Sequence, residues 1–370
     1  MKEKQIPKYM QLKQEIFSWL QAGRLKSGDQ MLSENELAVL FQMSRQTVRQ
    51  TFSELEREGW LYRVQGKGTF VTNPLARGLH KVPTIGVITP CISDYLFPLI
   101  LRGAEAAARA RGYRLLISST DNEKDKEREI LQMLLNEPLS GLIIEPTRSA
   151  WGNPNLSYFL SLEQQNMPYM MINECYMELN CPCLKVDDEL GGFLAAEHLL
   201  RMGHRRIAGF FKMDDLQGVN RLKGFIRAHR EYQVMIEPDA VIHYTTEEMD
   251  TKPFEQAVWM LSRELGAPTG FVCQDDALAV KLLEAARRTG KNVPEDLSVV
   301  GFDDSSLATA AEVKLTTLTH PKTDLGRQAA ELLMDRIEGK SSDSQADSLI
   351  HKPQLIIRES TWSLVENNSR

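Results

Sequence analysis

The sequence predicts an α/β protein: a small winged helix-turn-helix followed by a larger core of two doubly wound parallel sheets. Three observations carry this. The first seventy residues hold three segments of helical period and then a strand, tight turn and strand. From residue 84 short apolar runs alternate with helical segments, the rhythm of parallel βαβ units. The same rhythm repeats after Cys183, which implies two lobes of similar size. A length of 370 residues suits two to three domains. With 42% hydrophobic and 25% charged residues the composition is globular. No apolar run approaches the roughly 18 residues of a membrane helix.

In the head, Tyr9, Leu12, Ile16, Trp19 and Leu20 fall at helical spacing, and the segment stops near Gly23. Ser33-Glu34-Asn35-Glu36 forms a capping box that starts a second helix with an apolar stripe of Leu37, Leu40 and Phe41. The short turn Gln42-Met43-Ser44 leads to a third helix, capped by Ser44, whose Val48, Phe52 and Leu55 face inward. Trp60 to Val64, a turn at Gln65 to Gly68, and Thr69 to Val71 make the wing.

Residues 73–83 carry two prolines and a glycine without apolar period and read as a linker between a head at 1–72 and a core at 84–370. Strands are expected at 85–89, 114–118, 141–145, 169–173, 206–211, 241–244, 270–274 and 298–303. Helices are expected between them, among others at 99–111, 126–137, 189–202, 219–231, 253–265 and 276–289. The expected N-lobe is 84–185 with 319–345, and the expected C-lobe is 186–318 with 346–370. Ligands of open α/β sheets bind beyond the carboxyl ends of the strands, which here line a cleft between the lobes.

The net charge of -6 argues against a polyanionic partner only until it is divided. Up to Lys81 thirteen Lys and Arg face eight Asp and Glu, a balance of +5, and the remainder carries -11. Five cysteines without a secretory h-region point away from a disulfide scaffold and towards a cytoplasmic protein. The C-x5-C-x-C spacing of Cys175, Cys181 and Cys183 is not a usual zinc pattern, and His198 and His204 read as core or capping histidines. No metal site or cofactor is expected. Neither a P-loop, a GxSxG elbow, an HExxH motif nor a GxGxxG after a strand is present, so no catalytic residue is assigned.

The third helix exposes Arg45, Gln46, Arg49, Gln50 and Ser53 opposite its apolar side. Arg binds guanine, and Gln binds adenine, bidentately in the major groove, where the first turns of a recognition helix reach. Thr47 and Ser33 are placed to donate to phosphates, and Lys67 sits at the tip of the wing. The stretches SENELA (33–38), SRQTVRQTFSELEREG (44–59) and GKGTFV (66–71) resemble the GntR family of bacterial repressors. That resemblance implies operator contacts by Arg45, Thr47, Arg49, Gly66 and Lys67, with Lys4 as a further backbone contact. Asn35 stands where related repressors often have Arg, which implies an amide contact in place of a stronger charged one.

The core resembles the LacI/GalR effector domains and, through them, periplasmic sugar-binding proteins. The matching stretches are TIGVITP (84–90), RGAEAAARARGY (102–113), AAEHLLRMGHRRIAGF (195–210), NRLKGF (220–225), CQDDALAVKLLEAA (273–286), NVPEDLSVVGFDD (292–304) and LTTLTHPKTDLGRQAAELL (315–333). A pyranose needs polar groups that each pair with adjacent hydroxyls, and Glu145, Asn173, Glu174, Gln274, Asp275, Asp303 and His320 stand at or just after strand ends. Tyr95 and Phe97 follow the first strand, and Arg221 opens a cleft-facing helix. The family implies inducer contacts by Arg221, Gln274, Asp303 and His320, and less directly by Tyr95, Phe97 and Asn173. Asp276 and Asp304 read as structural, while Asp187 suits either a cap or a contact.

A GntR-type head on a LacI-type core resembles the arabinose-operon repressors of Gram-positive bacteria. The resemblance implies a dimeric, DNA-binding repressor released by L-arabinose. The alternatives are a repressor for ribose or a galactoside, and a sugar receptor without regulation.

Overall fold

The computed structural model describes residues 7–21, 24–26, 28–58, 60–64, 68–71, 82–93, 95–340 and 348–365. It comprises two compact units, residues 1–82 and 83–370. Most of the expected linker at 73–83 lies outside the described residues.

In the first unit α1 (Lys8–Gln21), α2 (Glu34–Leu40) and α3 (Arg45–Arg57) precede the antiparallel pair β1 (Leu61–Val64) and β2 (Gly68–Val71). Leu12, Ile16, Leu37, Val48, Phe52, Leu55 and Leu61 close the core, with Trp60 edge-on to Phe17 at 5.0 Å. The capping box forms as the sequence requires: Ser33 Oγ accepts from the Glu36 amide, and Glu36 accepts from the Ser33 amide at 2.7 Å. Segment 28–31 pairs with β2 as well, through Gly28 N to Val71 O (2.9 Å) and Met31 N to Thr69 O (2.8 Å). Leu40 departs from the expected stripe and is 58% exposed. Leu37, Ala38 and Phe41 share the inner face, and Leu40, three residues after Leu37, falls on the far side of Leu37 from the other two.

The second unit begins with β3 (Thr84–Thr89), α4 (Phe97–Ala110), β4 (Arg114–Ser119), α5 (Lys124–Leu134), β5 (Gly141–Ile144), α6 (Leu156–Gln164), β6 (Tyr169–Ile172) and β7 (Cys183–Val186). It continues through α7 (Asp188–Arg201), β8 (Ile207–Lys212), α8 (Leu216–Glu231), β9 (Val241–Tyr244), α9 (Lys252–Leu261), β10 (Gly270–Cys273), α10 (Asp276–Arg288), β11 (Ser298–Val300) and α11 (Ser306–Ala310). Then follow β12 (Thr317–Leu318), α12 (Lys322–Ile337), β13 (Leu349–His351) and β14 (Leu355–Ile356).

Two parallel sheets result, ordered β13-β7-β6-β5-β3-β4 and β11-β10-β8-β9. Strands of both are apolar on each face, as parallel strands covered by helices must be; all six residues of β3 are buried. The first strand of each lobe lies inside its sheet, so a switch in strand order opens between β3 and β5 and again between β8 and β10. The chain passes between lobes after β7, before α12 and after β13. Residues 349–351 therefore pair with β7 in the N-lobe instead of belonging to the C-lobe, as expected for 346–370. A three-residue edge strand has too little period to reveal its sheet. Segment 355–365 does return to the C-lobe, with Val299 N donating to Ser360 O at 2.7 Å.

In the C-lobe α7 and α8 cross at glycines. A Cβ on Gly192 would lie 2.0 Å from the Arg221 carbonyl oxygen, and one on Gly224 would lie 1.9 Å from that of Glu189. Gly103 and Gly326 do the same for α4 and α12. Gly192→Ala must push α8 away and is expected to cost about 1–3 kcal/mol, read as a lower urea midpoint of the core. An unchanged midpoint would show that the crossing has slack.

Candidate functional site

The head presents one polar helix face. Arg45, Gln46, Arg49, Gln50 and Ser53 are exposed along α3 while Val48, Thr51, Phe52 and Leu55 are buried. Ser44 caps α3, accepting from the Thr47 amide at 3.1 Å and sharing a hydrogen bond between hydroxyls with Thr47 at 2.9 Å. Ser33 is held by its capping box, and Asn35 is exposed on α2. Glu34 binds Arg49 at 3.2 Å and Arg63 of β1 at 3.0 Å, and Arg63 also reaches Glu56 at 2.6 Å. Sequence reasoning missed this acidic bridge; its signal was a carboxylate in the same SENELA motif. Lys4, Gly66 and Lys67 lie outside the described residues.

The cleft of the second unit is built at strand ends. Asn173, just after β6 and at φ 64°, donates from Nδ2 to Glu145 Oε1 at 2.8 Å, and Glu145 Oε2 accepts from Thr89 at 3.3 Å. A carboxylate only accepts, which fixes the amide's orientation and leaves Asn173 Oδ1 to accept from His320 Nε2 at 3.1 Å. The proton is thereby placed on Nε2, and His320 Nδ1 becomes a bare acceptor. Burial holds this imidazole at about 4, so it is neutral at physiological pH.

On the other lobe Arg221 is 4% exposed. Its Nε donates to Asp188 at 2.7 Å, one terminal nitrogen donates to the Gln274 carbonyl oxygen, and the other lies 3.9 Å from Asp303. The guanidinium rests on the Phe302 ring at 3.6 Å from its centre. Burial raises the Asp188 carboxyl, and the charge of Arg221 offsets part of that rise. Among the described residues, Asp188 Oδ2 and His320 Nδ1 are buried polar atoms without a protein partner. His320 Nδ1 is an acceptor suited to a hydroxyl donor, and Asp188 Oδ2 is one when the carboxyl is ionised beside Arg221.

Asp303 takes φ 98° and receives the Tyr95 hydroxyl across the cleft at 2.5 Å. Burial, with nearby carboxylates, pushes the Tyr95 hydroxyl well up, keeping it a donor. Lys322 ties the Asp303 turn by donating to the carbonyl oxygens of Asp303, Asp304 (3.2 Å) and His320 (3.3 Å). Gln274 Oε1 accepts from the Lys212 amide at 3.3 Å, and Asp275 caps α10 through the Leu278 amide at 2.7 Å. Phe97, expected near the ligand, is 1% exposed in the N-lobe core. Asp187 caps α7, Asp276 binds Ser305 N and Thr317, and Asp304 pairs with Arg358.

Sequence reasoning passed over Asp188 and Lys322. It named Glu174 only as a strand-end polar residue; here Glu174 binds Lys185 and Asn220, both at 3.0 Å. Leu216 N to Ser149 (2.8 Å) and Asn122 to Thr246 (2.6 Å) also join the lobes. His204 bonds Thr269 and Trp362 O, and His198 bonds Thr361, as core histidines do. Among the described residues no group of three or more His, Cys, Asp or Glu could hold a metal ion, and no helix is long and apolar enough to cross a membrane.

A winged helix-turn-helix joined to a two-lobed ligand-binding core defines a transcriptional regulator of the one-component kind. Residues 8–71 match the gntR family of bacterial regulatory proteins, and residues 196–361 match the periplasmic binding protein-like domain. The chain is 56% identical over 362 residues to an arabinose metabolism transcriptional repressor of Geobacillus stearothermophilus, covering 98% of this chain and 99% of that one. It is 45% identical to the repressor of the same name from Halalkalibacterium halodurans over 96% of each. Its fold matches a LacI family transcriptional regulator from Enterococcus faecium, crystallised with bound ribose, at a TM-score of 0.64 and 26% identity over 76% of this chain and 99% of that one. The chain belongs to the family of arabinose metabolism transcriptional repressors.

A histidine held near 4 when folded and at about 6.5 when unfolded contributes stability that is present above pH 6.5 and lost as pH falls towards 4. The difference is roughly 3 kcal/mol. His320→Gln should flatten this slope in urea unfolding between pH 7 and 5. An unaltered slope would mean that His320 does not titrate as its burial requires.

Proposed function

We propose that this chain is a cytoplasmic repressor that binds operator DNA as a homodimer and is released by a monosaccharide, L-arabinose. The observation that carries the sugar reading is the pair of buried, unpartnered acceptors, Asp188 Oδ2 and His320 Nδ1, flanked by the Arg221 and Asn173 networks. A neutral polyol supplies hydroxyl donors for both without bringing a charge into the cleft. The choice of L-arabinose is supported by the relatives at 56% and 45% identity, which are arabinose metabolism repressors. The DNA reading is supported by the exposed Arg45, Gln46 and Arg49 on a capped helix, within a segment up to Lys81 whose charge balance is +5. Dimerisation is supported by β4, an edge strand that exposes Leu116 (37%) and Ile117 (41%).

Release then follows from differential contacts. Tyr95–Asp303 and Glu174–Asn220 already join the lobes, so a sugar that adds hydrogen bonds on both sides favours the closed arrangement. In a dimer this changes the spacing of the two heads. A coupling of about 1–3 kcal/mol corresponds to a change of roughly 5- to 150-fold in operator affinity. Pro74, Gly78 and Pro83 in the linker disfavour a hinge helix, so the coupling acts through head spacing.

Calorimetric titration of the protein should give saturable binding of L-arabinose and at least tenfold weaker binding of D-ribose and D-galactose. Equal or preferred binding of ribose or a galactoside would replace arabinose as effector, and no binding of any sugar would overturn the sugar reading. For DNA, Arg45→Ala should weaken operator binding by about 1–3 kcal/mol and relax sequence preference. Asp303→Ala should bind operator normally yet fail to release it with sugar. Undiminished operator binding in the first variant, or full release in the second, would break the corresponding assignment.

A further inference from the structure

The sheet orders of the second unit gather the chain crossings between lobes at one edge and leave the opposite edge to be joined without a crossing. The crossings run beside β7, β13 and β12, the last of which bridges to β11, whereas β4 and β9 are the far edge strands of their sheets. Loops after β4, β5, β8 and β9 meet at that far edge. Arg148, after β5, donates from a terminal nitrogen to Glu247, after β9, and Asn122, after β4, donates from Nδ2 to the Thr246 hydroxyl oxygen at 2.6 Å. The Ala150 amide adds a bond to the Asp214 carbonyl oxygen at 3.1 Å, beside the one from the Leu216 amide to Ser149.

Both halves of this junction are held in place by their own lobe. Arg148 Nε donates to the Asn122 carbonyl oxygen at 2.7 Å, the Arg148 amide donates to Asn122 Oδ1 at 2.8 Å, and the guanidinium lies over the Trp151 ring at 4.7 Å from its centre. Arg148 sits at φ 42°, a left-handed conformation that is uncommon outside glycine, asparagine and aspartate. The loop keeps it because the preceding Thr147 amide is tied to the buried Tyr176 hydroxyl at 2.9 Å, and that hydroxyl is bound in turn by buried Glu127. On the C-lobe, buried Asp214 accepts from the Thr246 amide at 3.0 Å and from its hydroxyl at 2.6 Å, and the Thr245 hydroxyl donates to Glu247 at 2.8 Å. Thr246 spends its hydroxyl proton on Asp214, so its oxygen is the acceptor that Asn122 needs.

We propose that Asn122, Arg148, Thr246 and Glu247 form a latch that must part before the cleft opens, and that it thereby governs how fast a ligand enters and leaves. An opening rotation about the crossings separates the far edge most, so contacts there resist it with the greatest leverage. The Arg148 hydrogen bond holds the Glu247 carboxyl down at about 2, which keeps both partners charged at neutral pH. None of the four residues is among those assigned to the sugar, so the latch acts on the lobes and not through ligand contacts. Its role as a gate rests on the sugar reading, whereas the latch itself does not.

Hydrogen exchange of the full chain without sugar tests the latch. Peptides covering 147–152 and 213–218 should exchange at least about threefold faster in Arg148→Met and in Glu247→Ala, while peptides of β3 and β10 keep their rates. The Glu247 side chain is more than half exposed, so Glu247→Ala leaves the packing intact even if Arg148→Met folds poorly. Unchanged exchange in Glu247→Ala, or acceleration spread equally over β3 and β10, would overturn the latch. For the gate, dissociation of L-arabinose followed by stopped-flow tryptophan fluorescence should be at least about threefold faster in Glu247→Ala than in the unaltered protein. An equal or slower rate would overturn the gating role. Failure of L-arabinose to bind the unaltered protein would count against the effector assignment alone, and the exchange rates would still decide the latch.

Discussion

The core is organised around a buried cation. Arg221 carries five donors into a site that is 4% exposed, and its charge cannot be discharged by deprotonation. It is tolerated because four groups from three elements converge on it: Asp188 from the start of α7, the Gln274 carbonyl oxygen beyond β10, and Phe302 and Asp303 beyond β11. Removing one partner from such an arrangement typically costs about 3–5 kcal/mol, more than the pair contributes over an apolar substitute. The convergence also depends on helix spacing. Gly192 of α7 lies directly against the backbone of Arg221, so the depth of the guanidinium and the approach of α7 to α8 are one constraint.

The same centre stores strain where a ligand would feel it. Asp303 at φ 98° and Asp304 at φ 47° occupy backbone regions that side chains other than Asn and Asp rarely enter. Lys322 holds that turn by bonding three carbonyl oxygens from beneath, and it does so from the first turn of α12, which packs on α4 in the N-lobe. Asp303, at the end of a C-lobe strand, is therefore held at its carbonyl by Lys322 and contacted at its carboxylate by Tyr95, both carried by N-lobe elements. Groups that set the lobe arrangement are also groups that a polyol would touch, which is the condition for a ligand to shift that arrangement.

Much of this was readable from the chain. The ends of the eight expected strands were legible to within a residue or two, except for 298–303, because parallel strands are continuous apolar runs, whereas the two- to four-residue strands β7, β12, β13 and β14 were not foreseen. The rule that ligands meet strand carboxyl ends then selected Glu145, Asn173, Gln274, Asp303 and His320. What escaped depends on partners distant in sequence. Asp188 looks like a first-turn helix acid until Arg221, 33 residues on, reaches it. Lys322 looks like an exposed helix-start cation, and its role exists only because the chain recrosses the lobes beside it. Phe97 misled for the opposite reason: it follows the first strand as a ligand-facing aromatic would, yet as the first residue of α4 it turns into the core. Leu40 and β13 failed on length, since seven and three residues define a period poorly.

The head shows how an acidic residue can order a face of exposed arginines. Glu34 holds Arg49 of the recognition helix and Arg63 of β1 together, with both arginines about half exposed or more. Exposed pairs of this kind contribute between about 0 and 1 kcal/mol. A guanidinium that meets a guanine edge bidentately discriminates by about 1–3 kcal/mol, and one that meets a phosphate gains counterion release besides. An exchange of Glu34 for such a partner would therefore be favourable for Arg49, while the bridge limits the rotamers that Arg49 samples beforehand. Arg45, with no such tether among the described residues, keeps its full reach. Two arginines one helical turn apart thus stand under different restraint, and that difference arises from a single carboxylate on the neighbouring helix.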